Sequence, residues 1–136
     1  MEQSSIFLPF LTQAAMTIVI LFWLAWSRVS RISKQGMAAI VKTGFPKHVD
    51  NASNNLKNQF ELPVIFYAIC LFFFVTNGVT QTVMIIAWIF VAARIAHALV
   101  HLTKNIIFPY RFLSFLISAL SLTVMIILAF LHLSTL

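Results

Sequence analysis

Charge is missing from long tracts of the chain and concentrated between them. No charged residue falls between Gln3 and Ser27, none between Leu62 and Ala93, and none after Arg111. A hydrocarbon core of about 30 Å is crossed by about 20 helical residues, so each tract is long enough to span it. The first, SIFLPFLTQAAMTIVILFWLAWS, predicts one tilted helix over residues 5–27. The second is interrupted by TNGVTQT at 76–82, whose Asn77-Gly78 pair is a turn signal, so it divides into a hairpin of spans over 57–76 and 82–104. The last predicts a fourth helix over 111–133, with Ser114, Ser118 and Ser121 on one small-residue stripe suited to close helix contact. The expected architecture is an all-α integral membrane protein, a single four-helix up-down transmembrane bundle over residues 1–136.

Composition supports a bilayer as the solvent. With 61% hydrophobic and 9% charged residues, the chain has too few polar side chains to coat a soluble globule of its size. The first span lacks the basic flank and small-residue cleavage site of a signal peptide and is read as retained. Cys70 is the single cysteine, so no intrachain disulfide or thiol pair can form, and its apolar setting marks it as a core residue.

The basic residues then orient the bundle. Arg28, Arg31, Lys34, Lys42, Lys47 and Lys57 lie between the first two spans, and Lys104 and Arg111 flank the connection between the last two. Both groups fall on one face, which the positive-inside rule makes cytoplasmic, with both termini and the 76–82 turn on the opposite side. The net charge of +6 is thereby accounted for by topology. A nucleic-acid partner is not expected, because these residues do not line one soluble face. The first connection, from Arg28 to Leu56, is too long for a bare turn. Its apolar piece Met37–Val41, followed by the breakers Gly44 and Pro46, reads as an interfacial helix whose lysines meet anionic headgroups. Asn51-Ala52-Ser53 has the glycosylation pattern but sits on the expected cytoplasmic side. No repeat, low-complexity tract, phosphate loop, metal cluster or nucleophile triad is present in the sequence.

What remains is polar chemistry near the membrane. Helical geometry puts Asn54, Asn58 and Glu61 on one face of span two, and Pro63 would bend that helix or leave the Gln59 carbonyl unpaired if the helix already includes Gln59. On span three, Arg94, His97 and His101 recur at spacings of three and four, with Lys104 continuing the stripe. Ionisable groups at mid-bilayer cost about 2.5–3.5 kcal/mol on insertion scales, so they face a bundle interior and pair. Glu61 with Arg94 is the expected pair, as readily an interhelical staple as a functional one. His97 alone is more often a packing donor than a catalytic group. His101 and Lys104 can snorkel to water. Trp23 and Trp26 read as an aromatic belt with no ligand role, and Trp88 and Tyr67 as core or groove residues. His48 and His132 belong to no chemical pattern.

Asn58-x-x-Glu61 with Pro63 nearby, Arg94-x-x-His97 on the following span, and Pro109 and Arg111 before the last resemble the MAPEG family, membrane-associated proteins in eicosanoid and glutathione metabolism. The likeness covers nearly the whole chain, including the long basic first loop. It implies a homotrimer of four-helix bundles, with glutathione as cosubstrate bound between neighbouring subunits near the cytoplasmic side. It also implies that Asn58 and Glu61 hold parts of the tripeptide while Arg94 and His97 line the same site. Two positions depart from many catalytic members: Lys57 stands in place of an Arg and His101 in place of a Tyr. Lys57 keeps the charge without the bidentate fork, and His101 keeps a hydrogen-bond donor and a stacking surface. Arg111, matched with one extra loop residue, corresponds to the Arg that steadies the glutathione thiolate, and Arg94 is the second guanidinium available for catalysis.

The resulting expectation is a glutathione transferase or peroxidase that acts on lipophilic electrophiles or lipid hydroperoxides entering from the bilayer. Compact loops and the family's spread point to a bacterial inner membrane. Two other readings stay open: a non-catalytic lipid- or ligand-binding scaffold, and a small proton-coupled transporter using the Glu-Arg-His set as a relay.

Overall fold

The computed structural model describes residues 2–103 and 107–136. Helices account for nearly all of them, in the order α1 (Phe7–Gln35), α2 (Met37–Thr43), α3 (Lys47–Asn58), α4 (Leu62–Val75), α5 (Gln81–Thr103) and α6 (Phe112–Leu133). A short 3-10 turn at Gln3–Ile6 precedes α1, and a π-helical turn at Ile107–Arg111 leads into α6. Among the described residues there is no strand. Four helical stretches are long and apolar enough to cross a membrane: Gln3–Gln35, Lys47–Val75, Gln81–Val100 and Pro109–Leu133. The chain is thus an all-α integral membrane protein with a four-helix bundle.

Two boundaries depart from the sequence expectation. Helix α1 does not stop at Ser27; it runs 29 residues to Gln35, about 44 Å at 1.5 Å per residue, and so outreaches the hydrocarbon layer. The basic residues after Trp26 mark where the membrane ends, but nothing in them ends a helix. Gly36 does so, with φ +78° and its N–H on the Ile32 carbonyl. Span two, in turn, is not one helix. Its amphipathic N-terminal part, α3, begins after Pro46 and closes at Asn58, and a second helix, α4, starts at Leu62.

Pro63 explains that break. At the second position of α4 it needs no N–H donor, whereas in an uninterrupted helix it would strip the Gln59 carbonyl of its partner and press its ring against that turn. The chain therefore tightens into i→i+3 bonds, Gln59 N–H to Leu56 O and Phe60 N–H to Lys57 O, and turns at Glu61 (φ −99°, ψ −105°) before resuming.

The main core joins α4, α5 and α6 around Phe66, Cys70, Phe73, Ala87, Phe90, Leu122 and Met125. Phe66 and Phe90 stack with ring centroids 4.3 Å apart. Ser114, Ser118 and Ser121 are buried, as their stripe requires, and each donates its hydroxyl to a carbonyl of its own helix or the turn before it. A smaller cluster of Leu24, Val49 and Ala52 ties α1 to α3 at the basic end. At the other end α4 closes on a Schellman motif. Asn77 adopts φ +55°, Gly78 N–H reaches Phe73 O at 2.8 Å, and Asn77 N–H reaches Phe74 O at 3.3 Å. His132 of α6 donates from Nε2 to the Thr76 carbonyl at 3.2 Å, so this residue, silent in the sequence, fastens the last span to the hairpin turn.

Candidate functional site

The break in span two organises the polar residues of the bundle. Its closing turn leaves the Asn58 carbonyl without an N–H partner from its own helix, and Arg94 of α5 supplies one from Nη2 at 2.8 Å. The guanidinium is 1% exposed and sits at the C-terminus of α3, where the helix dipole favours a cation. Its Nε makes no hydrogen bond among the described residues. The expected Glu61–Arg94 ion pair is not formed. Glu61 is exposed at the start of α4, because Pro63 ends the helix that would have carried it one turn above Asn58. Asn54, on the same expected stripe, is exposed as well.

A ladder of amides lies beside Arg94. Gln13 of α1 donates to Gln59 Oε1 at 2.9 Å, Gln59 donates to Asn55 Oδ1 at 3.1 Å, and Asn55 donates to the Ala98 carbonyl of α5 at 3.2 Å. All three side chains are buried, and together they join three spans through the break. Sequence reading missed them because it followed the Asn54–Asn58 face of α3, whereas Asn55 and Gln59 lie on the buried side. The signal was present: Val49 and Ala52 continue at helical spacing into Asn55 and Gln59, and Gln13 is a lone amide deep in an apolar span.

His97 lies one turn beyond Arg94 and is also buried. Its Nδ1 faces the Arg111 carbonyl at 3.2 Å and Ser114 Oγ at 3.4 Å. The Arg111 carbonyl can only accept, so the ring proton belongs on Nδ1, while the Ser114 hydroxyl has the Tyr110 and Arg111 carbonyls within donating reach. This contact ties α5 to the turn that carries Arg111 into α6. The half-buried Arg111 side chain then meets Asn58 and His97 around a pocket of about 380 Å³, whose remaining walls are Phe112 and Phe115. That volume is within the usual range for small-molecule sites, about 300–1,000 Å³.

The structure thus gathers Asn58, His97 and Arg111 into one concavity, with Arg94 engaged on the Asn58 backbone and not among the lining residues. Lys57 and Glu61 are exposed on the single chain. Lys104 lies outside the described residues, as does the side chain of His101. No group of three or more metal-ligating side chains occurs among the described residues.

The sequence model of the MAPEG family matches residues 6–131. No curated protein and no solved structure matches the chain. The family match runs from the turn before α1 to the last turn of α6 and takes in all four membrane-length helices and the polar constellation between them; the chain belongs to the MAPEG family.

Proposed function

We propose that this protein is a membrane-bound glutathione transferase or peroxidase acting on lipophilic electrophiles or lipid hydroperoxides, assembled as a homotrimer. The observation that carries the reading is the pocket lined by Asn58, His97 and Arg111 on its polar side and by Phe112 and Phe115 on its apolar side, in a bundle of the MAPEG family. Such a site suits two unlike reactants, a charged tripeptide from water and an apolar one from lipid. By the positive-inside rule the basic end faces the cytoplasm of a bacterial inner membrane, with both termini across the bilayer.

Arg111 is the group assigned to the sulfur. A guanidinium favours the thiolate over the thiol, and each unit of lowered pKa corresponds to about 1.4 kcal/mol. In transfer, the thiolate forms a C–S bond as the leaving group departs with its bonding pair. In peroxide reduction it attacks the terminal oxygen and the O–O bond breaks. The alkoxide takes a proton, and the sulfenic acid left on glutathione condenses with a second thiol to a disulfide and water. Asn58 and His97 hold the tripeptide. Lys57, Glu61 and His101 are assigned to the part of the site that a neighbouring subunit completes, which agrees with the exposure of the first two on the single chain. Arg94, buried on the Asn58 carbonyl, fixes the site's floor while Arg111 meets the reacting atom.

Calorimetry on the detergent-purified protein, paired with conjugation and peroxide-reduction assays, tests this. Wild type is expected to bind glutathione at millimolar affinity or tighter, about −4 kcal/mol or better. Arg111→Leu is expected to retain binding within about tenfold while turnover falls by about 10² or more. Failure of folded wild type to bind glutathione sinks the proposal, and binding without turnover in wild type leaves the non-catalytic scaffold.

A further inference from the structure

A second concavity, of about 300 Å³, opens where the end of α1 meets the first turn of α3, and the glutathione reading makes no use of it. Its walls change character along the helix axis. Trp23 and Trp26 come first, 57% and 75% exposed and therefore not core residues. The hydroxyls of Ser27 and Ser30 follow, then Arg31 and Lys34, with His48 of α3 facing them across the cleft. From Trp26 to Lys34 the axial rise is about 12 Å. Aromatic belts mark the membrane–water interface, so the order of groups follows the order of layers in a leaflet, apolar and glycerol level first and phosphate level outermost.

Two observations show a formed cleft and not merely a basic surface. Helix α3 is held against α1 by Arg28, which donates from Nη2 to Ser53 Oγ at 3.1 Å and lies 5.7 Å from the Phe45 ring centroid, above the Leu24–Val49–Ala52 cluster. The Ser27 and Ser30 hydroxyls make no hydrogen bond among the described residues, whereas the α6 serines are each engaged. Charge is one-sided: between Trp23 and Glu61 the chain carries a single acidic residue, Asp50.

We propose that this cleft binds the phosphate-bearing headgroup of an anionic glycerophospholipid. Arg31 and Lys34 take the phosphate oxygens, the two serine hydroxyls and His48 donate to the remaining acceptors, and Trp23 and Trp26 pack on the glycerol and upper acyl carbons. The tryptophans decide between a lipid and free phosphate, because an inorganic ion leaves that exposed wall uncovered.

Trp88 is the third tryptophan of the chain, so in a Trp88→Phe background the fluorescence comes from Trp23 and Trp26 alone. This protein is reconstituted in phosphatidylcholine vesicles doped, at equal mole fraction, with brominated phosphatidylglycerol or brominated phosphatidylcholine. Stronger quenching by the glycerol lipid is expected. Its relative preference should weaken by about fivefold per cation removed in Arg31→Gln and Lys34→Gln, and by distinctly less in Lys42→Gln and Lys47→Gln, which lie outside the cleft. Added inorganic phosphate should leave the preference in place. Equal quenching by the two lipids, loss of preference in all four variants alike, or displacement by inorganic phosphate each overturns the proposal. Far-ultraviolet circular dichroism confirms that the compared variants are folded. The readout involves no glutathione and is independent of the catalytic reading.

Discussion

At the scale of single residues, Arg94 decides how the break in span two is tolerated. A carbonyl inside a membrane protein that loses its helical donor has no water to turn to, and Arg94 Nη2 takes that place at Asn58. Arg94→Met is therefore expected to destabilise the bundle by about 1–3 kcal/mol, with Arg94→Lys recovering part of the loss. Reversible unfolding in mixed micelles checks this, and unchanged stability in Arg94→Met would remove the capping role. The stripe Arg94-His97 was legible in the sequence because both residues are ionisable within an apolar run. Their partners were not legible, since each is a backbone carbonyl, of Asn58 and of Arg111, freed or presented by local geometry and carrying no side-chain signature. The amide ladder was hidden for a different reason: NASNNLKNQ offers polar residues on every face, and only the packing of Val49 and Ala52 against α1 selects Asn55 and Gln59.

Among the elements, the two ends of α4 are built by opposite devices. Its start is imposed by Pro63, and its finish by Asn77 and Gly78. The dipeptide was legible as a turn, but what lies over it was not. A Cβ on Gly78 would stand 2.6 Å from His132 Cδ2 and Nε2 and 3.0 Å from Phe73 Cδ1. Gly78→Ala should therefore cost about 1–3 kcal/mol, as overpacking usually does, by pushing the imidazole off the Thr76 carbonyl. In a His132→Ala background the same substitution should cost distinctly less, with only the Phe73 contact remaining. Thermal unfolding of the four variants measures the coupling, and an equal penalty in both backgrounds would mean that His132 is not what the glycine accommodates. Helix α1 shows the limit of reading elements from charge: its polar extension to Gln35 reads as a loop only if the membrane boundary and the helix end coincide, and here they do not.

For the whole molecule, the four spans were legible from uncharged tracts alone, since a bilayer imposes a length and a composition that few other settings require. The packing order within the bundle was not, because lipid-facing and core-facing residues are equally apolar, and the N-terminal end of α1 meets the main core only through Phe7 and Phe10 beside Ile6 of the preceding turn. The proposed orientation has a direct check. Cys70 is fully buried, so cysteines introduced at the exposed Ser33 and Ser134 can be labelled against a silent background. A membrane-impermeant maleimide is expected to modify Ser134→Cys in intact cells and Ser33→Cys only after permeabilisation. The reverse pattern would invert the bundle.

The donor that caps span two arrives on span three, and this bears on how the protein is made. While the chain emerges into the bilayer, α4 enters with the Asn58 carbonyl still seeking a partner, and only when α5 follows can Arg94 reach it. Neither helix is well suited to lie in lipid alone: one brings an open turn, the other a guanidinium. The α4–α5 hairpin is thus the smallest unit in which both liabilities cancel, so the two spans are best inserted together, before α6 closes over them.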